Sequence, residues 1–208
     1  MNNLNRLIVF IPFFILGCTP NVIEEDKSIL KKIDSLNMNI FSNMGDKIYS
    51  ITSPNSTYDK IKLEFNLKKT TISVFDDENI KYIITSDSST LSNNNKNVEL
   101  NGNVELKSFS QDNDYLNGDN LIWNINDSKY ELIGNVRFEN KNIKLSSNKA
   151  ILDKDNIIEF FNPVKYTIKD ENNENKFEIN SENAYYDLNL KSLNFEAKDK
   201  RVRSKIYF

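Results

Sequence analysis

Between Asn97 and Leu106 the chain reads NVELNGNVEL, and between Tyr130 and Glu139 it reads YELIGNVRFE. Every second residue is apolar: Val98, Leu100, Val104 and Leu106, then Tyr130, Leu132, Val136 and Phe138. A period of two is that of a β-strand with one oily face, whereas a helix needs a period of 3.6. The same alternation occurs in Ile61–Leu67, Ile80–Ile84, Leu121–Ile125, Ile158–Phe160, Val164–Ile168 and Phe177–Ile179. Polar clusters separate the runs: DDEN at 76–79, SNNNKN at 92–97, SQDND at 110–114, NDSK at 126–129 and DENNEN at 170–175. Such clusters are turn chemistry. The pattern predicts an all-β, antiparallel domain of roughly a dozen strands with short connections.

The strands also repeat. The two Gly-Asn-Val cores, Gly102–Val104 and Gly134–Val136, lie 32 residues apart. SPNSTY (53–58), SDSSTL (86–91), GDNLIW (118–123), SNKAIL (147–152) and SENAYY (181–186) align as five copies of a small residue, a polar residue and a short strand. A period near 32 marks units that cannot cover their own apolar faces and must stack on neighbours. Gly102 and Gly134 are in phase with the inward valines and leucines. A glycine inside a strand marks a bend, a bulge or a close approach, or is simply a packing glycine.

Composition removes many function classes. The chain has no histidine, hence neither the commonest general base nor the commonest metal ligand. One cysteine forbids an internal disulfide and a cysteine-based zinc site. Net charge is −3 with mixed signs, so no basic field awaits nucleic acid. No cofactor is expected. The carboxylates Asp112, Asp114, Asp119 and Asp153 could in principle pair for glycoside hydrolysis, but they fall in expected turns, where a solvated Asp is ordinary. DKDNIIE (153–159) is too short for a calcium loop and lacks its central glycine.

The first residues differ in kind. After Arg6, an apolar run from Leu7 to Leu16 would rise only about 15 Å as a helix, half of a bilayer's hydrocarbon core. That length suits a signal peptide over residues 1–17. The run ends in Ile15-Leu16-Gly17-Cys18, which resembles the bacterial lipobox, whose cysteine becomes diacylated. The alternative is an ordinary signal peptide, or a short anchor, with an incidental cysteine. From 18 to 47 a linker is expected. Ile29, Ile33, Leu36 and Ile40 recur there at helical spacing, with Asp26 as a possible cap, which predicts a short helix or a plain tether. The β-domain is expected over 48–208.

Residues 71–106, TISVFDDENIKYIITSDSSTLSNNNKNVELNGNVEL, resemble the periplasmic domain of the LptC family of lipopolysaccharide-export proteins. The shared features are an aromatic-Asp turn (Phe75-Asp76), a strand (Lys81–Thr85), a polar step (Ser86-Asp87) and a V-x-L-x-G-x-V-x-L strand (Val98–Leu106). Residues 115–168 and 177–206 look like the OstA-type modules that LptC shares with LptA, so the likeness covers about 48–206. One departure is the anchor, since the best-known members carry a transmembrane helix where this chain has Cys18.

The resemblance implies a V-shaped β-jellyroll around an apolar groove that takes lipopolysaccharide or its lipid A part. It implies a passive relay, with energy supplied by an LptB/LptF/LptG-type ABC transporter and delivery to an LptA-like bridge. The expected location is the periplasm, tethered to a membrane, the inner one favoured. Candidate groove residues are Val98, Leu100, Val104, Leu106, Leu121, Trp123, Ile125, Leu132, Val136, Phe138, Phe160 and Val164. Each could equally be plain core. The tail FEAKDKRVRSKIYF (195–208) offers Arg201, Val202, Arg203 and Ile206 as a partner-binding edge by the same resemblance. The opposite edge, facing the transporter, is expected near Ile48 to Ser53. The competing reading is an LptA-like scaffold or surface lipoprotein without cargo.

Overall fold

The structure is a computed structural model that describes residues 29–92, 96–108, 114–141, 143–169, 175–199 and 201–207. The signal-peptide and Cys18 expectations lie outside these residues. In chain order the strands are β1 (Leu30–Phe41), β2 (Lys47–Asp59), β3 (Glu64–Asp76), β4 (Asn79–Ser92), β5 (Asn97–Ser108), β6 (Tyr115–Asn124) and β7 (Lys129–Glu139). They continue as β8 (Lys144–Leu152), β9 (Ile157–Phe161), β10 (Val164–Lys169), β11 (Asn175–Ser181), β12 (Asn183–Asp187), β13 (Ser192–Glu196) and β14 (Arg203–Ile206). All fourteen belong to one antiparallel sheet that does not close. From β1 to β8 each strand pairs with the next; beyond β8 the sheet forks into β9-β12-β13 and β10-β11-β14.

The fork follows from a corner that crosses every long strand at one height. Inward positions normally step by two. At the corner they step by three in β2 (Ser53 to Ser56), β3 (Leu67 to Thr70), β4 (Ser86 to Ser89), β6 (Gly118 to Leu121) and β8 (Ser147 to Ala150). In β5 and β7 they step by four, from Leu100 to Val104 and from Leu132 to Val136. There an extra residue is inserted and the pairing register shifts between Asn101 and Val104 and between Ile133 and Val136. Left-handed backbone marks the line: Lys69 (φ 51°), Gly102 (77°), Asn103 (46°), Gly134 (81°) and Asn135 (48°). The sheet therefore bends there into two arms whose apolar faces look at each other. The first arm ends in β13 and the second in β14.

The Gly-Asn pair is what the repeat writes twice. Gly102 and Gly134 take φ values that L side chains resist. A Cβ at Gly102 would lie 2.6 Å from the Asp87 carboxylate, and one at Gly134 would run into that of Asp119. Those carboxylates each accept a hydrogen bond from the neighbouring amide, Asn103 Nδ2 to Asp87 Oδ2 and Asn135 Nδ2 to Asp119 Oδ2, both 2.8 Å. The glycines are thus corner residues rather than packing residues. The small residue that opens each repeat copy also sits here. Ser53, Ser86, Ser147 and Ser181 each donate a hydroxyl to the carbonyl two residues on, at 2.7 to 3.0 Å. The bond satisfies a carbonyl at the bend that the sheet ladder leaves free.

Three expectations are corrected. Residues 30–41 form the edge strand β1, with no helix. Ser35 is left-handed (φ 56°), so Ile33 and Leu36 turn the same way three residues apart, and Met38 and Ile40 follow at steps of two. A corner in a strand thus imitated helical spacing. The sheet consequently starts at Leu30, and the segment Ile48 to Ser53 lies in the second strand, with β1 on its outer side. Asp114 is buried rather than solvated, and Asp119, though exposed, lies in β6 rather than in a turn and holds the corner.

Candidate functional site: the interior between the arms

Cross-strand pairing sets the inner face in rows. One row of the first arm runs Ser56, Leu67, Ser89, Leu100, Leu121, Leu132, Ala150, Phe160, Ala184, Phe195. Beside it runs Tyr58, Phe65, Leu91, Val98, Trp123, Tyr130, Leu152, Ile158, Tyr186, Leu193. On the second arm a row runs Met38, Ile51, Ile72, Ile84, Leu106, Leu116, Phe138, Leu145, Tyr166, Ile179. The strand period keeps each row on one face, and antiparallel partners share a face. A largely oily surface therefore extends from β2 to β13 on the first arm and from β1 to β11 on the second.

The arms meet through aromatic rings. Phe138 packs on Phe160 (5.9 Å between centroids) and Tyr186 (4.8 Å), and Tyr166 on Phe195 (5.6 Å). Nearer the N-terminal end, Trp123 stacks on Tyr130 at 5.2 Å and meets the edge of Tyr49 at 5.1 Å, while Tyr82 meets Tyr130 at 5.8 Å. Burial pushes the hydroxyls of Tyr49, Tyr82 and Tyr130 far above the ordinary value of 10.0, with nearby carboxylates adding to the shift at Tyr82. Among the described residues, Trp123 Nε1 is a buried donor without a partner. It stands beside a recess of about 200 Å³ bordered by Ile48, Val74, Phe75, Ile125 and Tyr130.

Eleven of the twelve candidate groove residues are no more than 3% exposed: Val98, Leu100, Val104, Leu106, Leu121, Trp123, Leu132, Val136, Phe138, Phe160 and Val164. Ile125 is half-buried in the turn after β6. The structure thus brings the predicted residues together on the inner face, but as packed side chains rather than the lining of an open trough. Among the described residues, open space at the mouth includes the 200 Å³ recess and one of about 290 Å³ by Tyr82, Ser108, Asn156 and Leu188. Both fall short of the ~300 Å³ at which drug-sized pockets begin. A larger groove, about 690 Å³, lies on the outer face of the first arm across β1–β4, along Lys32, Thr57, Asn66, Lys68 and Thr90.

Polar contacts hold the mouth shut along the middle strands. Tyr82 donates its hydroxyl to Asn156 Oδ1 (3.1 Å), joining β4 to the β8–β9 turn. Asn140, after β7, donates to Tyr186 Oη (3.1 Å) and to Asp114 Oδ1 (3.0 Å). Lys191, in the β12–β13 turn, pairs with Asp114 Oδ2 at 3.1 Å. Sequence reading missed this clasp, because its members lie 26 to 77 residues apart.

The forked sheet leaves three edge strands, β1 at one end and β13 and β14 on the two branches of the other. β1 covers twelve residues at one end. At the other, β14 is short and exposed and pairs only with β11, through Phe177–Ile206 to Asn180–Arg203. Arg203 and Ile206 belong to that edge strand, whereas Arg201 and Val202 precede it. Phe208 lies outside the described residues. Among the described residues no helix is long and apolar enough to cross a membrane, and no cluster of His, Cys, Asp or Glu could hold a metal ion.

Among solved structures, the chain is similar to the crystal structure of LptH, the LptA-homologous periplasmic component of the lipopolysaccharide transport device from Pseudomonas aeruginosa. The identity is 10%, the TM-score 0.44, and the match covers 76% of this chain and 94% of that one. No curated protein sequence matches. The family model described as lipopolysaccharide-assembly, LptC-related, matches residues 17–131, more than half of the chain. The chain therefore belongs to the LptC-related lipopolysaccharide-assembly family, and with it to periplasmic lipopolysaccharide transport.

Proposed function

We propose that this domain is a non-enzymatic relay. It receives lipopolysaccharide from an LptB/LptF/LptG-type ABC transporter, shelters the acyl chains between its arms and passes them to an LptA-like bridge protein. The observation that carries this reading is the largely oily inner face of an unclosed sheet. Acyl chains in water gain roughly 25 cal/mol for each Å² they bury. The packed arms offer them cover only by parting, which exchanges arm–arm contacts for arm–lipid contacts. The clasp of Tyr82, Asn156, Asn140, Tyr186, Asp114 and Lys191 is then what must open first. Exposed edges can pair with a partner's strand: β1 toward the transporter, β14 toward the bridge.

Cys18, acylated after removal of residues 1–17, would hold the chain at a membrane, the inner one by this reading. Two or three acyl chains, at ~0.8 kcal/mol per buried methylene, suffice for a firm tether. The tight interior favours a second reading, a scaffold that carries no lipid. The two are separated by photo-crosslinking in the full chain supplied with lipopolysaccharide and the transporter. A photo-reactive residue at Trp123 or Leu132 should capture lipid, and one at Asn103 or Glu131 should not. Bridging the arms with a short bismaleimide between Tyr82→Cys and Asn156→Cys, in a Cys18→Ala background, should abolish the capture. Equal capture on both faces, or capture that survives the bridge, refutes the relay. No capture at any position supports the scaffold.

A further inference from the structure

Two short sequence segments meet at one tip of the first arm. They are Ile29-Leu30-Lys31-Lys32, where the chain enters the sheet, and Lys60-Ile61-Lys62-Leu63, the turn between β2 and β3. Lys60 donates its backbone N–H to the Ile29 carbonyl (3.1 Å), and Leu30 pairs with Asp59, so the two lie side by side. Four large apolar side chains stand out of the fold there: Ile29 (51% exposed), Leu30 (54%), Ile61 (72%) and Leu63 (57%). Lys31, Lys32, Lys60 and Lys62 surround them, all exposed.

Three carboxylates, Asp34, Asp59 and Glu64, lie beside the four lysines, which leaves the tip a net charge of +1. Asp59 Oδ1 accepts the Ile61 and Lys62 amides (2.9 and 3.0 Å), which fixes the turn and holds its carboxyl below the usual range. Asp34 pairs with Lys32 at 3.1 Å. By contrast Leu190, 78% exposed in the β12–β13 turn at the far end of the same arm, has only Lys191 beside it, and that ammonium is drawn to Asp114.

We infer that this tip docks into the surface of an anionic bilayer, its isoleucines and leucines entering the headgroup boundary and its lysines meeting lipid phosphates. Branched aliphatic residues interleaved with lysine form the composition of interfacial membrane anchors. Protein–protein interfaces, in contrast, are depleted in lysine. Chain geometry agrees. Eleven Cα–Cα steps separate Cys18 from Ile29, so the tip lies within about 40 Å of that cysteine at full extension. The inference rests on the reading above only in requiring the chain to be held at a membrane. Docking would fix how the sheet stands on that membrane, with β1 and the mouth at a set height.

The test mixes the full chain carrying Cys18→Ala with vesicles, with an environment-sensitive fluorophore on Ile61→Cys or on Leu190→Cys. In phosphatidylglycerol vesicles the label at 61 should shift to the blue and be quenched by doxyl-labelled lipid, while the label at 190 should not. Lys60→Gln with Lys62→Gln should lower the docked-to-undocked ratio about 25-fold, at about fivefold per lysine. Equal behaviour at 61 and 190 overturns the inference. So does indifference to replacing phosphatidylglycerol by phosphatidylcholine, or protection at 61 that appears only when the transporter is added. Acylation of Cys18 is read separately, from the mass of its peptide in the unmutated chain, so either proposal can fail without the other.

Discussion

Gly134→Ala should destabilise the protein more than Gly118→Ala, although both glycines lie at the corner and touch each other's strands. At Gly134 two costs add. Its φ of 81° is left-handed, which costs an alanine about 1–2 kcal/mol. The new Cβ would also occupy the place of the Asp119 carboxylate and break its 2.8 Å bond from Asn135, worth about 0.5–1.5 kcal/mol. The smaller backbone entropy of unfolded alanine offsets about 0.4–1 kcal/mol. The net loss is about 0.5–3 kcal/mol, or roughly 1–12 °C in Tm for a domain of this size. At Gly118 the backbone is ordinary and the nearest atoms to a Cβ are Gly134 O and Leu132 Cδ2, both at 3.4 Å, so its cost is under about 1 kcal/mol. Urea and thermal unfolding of the full chain, followed by circular dichroism, measure both. Asp119→Ala should partly relieve Gly134→Ala, so the double variant loses less than the sum of the singles. Equal losses at 118 and 134, or strict additivity with Asp119→Ala, would refute the corner argument. Gly102 with Asp87 and Asn103 should repeat the pattern.

Alkaline stability follows from the tyrosine cluster. Tyr49, Tyr82 and Tyr130 have folded pKa values raised far above 10.0, so their stabilising contribution is complete below 10.0 and is lost as pH rises from there toward the folded values. Each such phenol contributes a loss of up to about 1.4 kcal/mol per pH unit in that window. The share of tyrosinate absorbance due to these three of the nine tyrosines should therefore rise only with unfolding; full ionisation near pH 10 in a chain that stays folded would contradict the burial. In the core, Leu132→Ala should cost about 2–5 kcal/mol by transfer and cavity terms. Its neighbour Ile133, 38% exposed on the outer face, should cost much less on the same change in urea unfolding.

The inner face was legible because strand periodicity reports burial directly: Val98, Leu100, Val104 and Leu106 alternate with Asn and Glu, and all four are buried. The repeat was legible for the same reason, since each copy opens on a small residue that the corner needs. The corner itself was not. A left-handed residue such as Ser35 resets the alternation, and a three-residue step reads as a helix turn, which hid β1 and displaced the expected edge to Ile48–Ser53. The clasp was invisible on different grounds. Asp114 reads as a solvated turn residue; β6–β7 pairing sets it beside Asn140, and the branch beyond β8 brings Lys191 to it. The filled interior was equally hidden, because alternation says which side chains face inward and not whether the facing arm touches them.

That last point bears on how such a domain could carry lipid without an energy source of its own. A permanently open trough would expose its oily rows to water whenever it was empty, and closure of the arms removes that cost. Acyl chains entering between the arms replace one set of apolar contacts by another, so the exchange is close to neutral in buried area. The barrier then lies in the few polar contacts at the mouth, each worth about 0.5–1.5 kcal/mol net in an intact hydrogen bond. A near-neutral exchange behind a low barrier gives no direction by itself. In the proposed relay, direction would come from the edges, where β1 and β14 differ in length and charge, and from a transporter that filled one end.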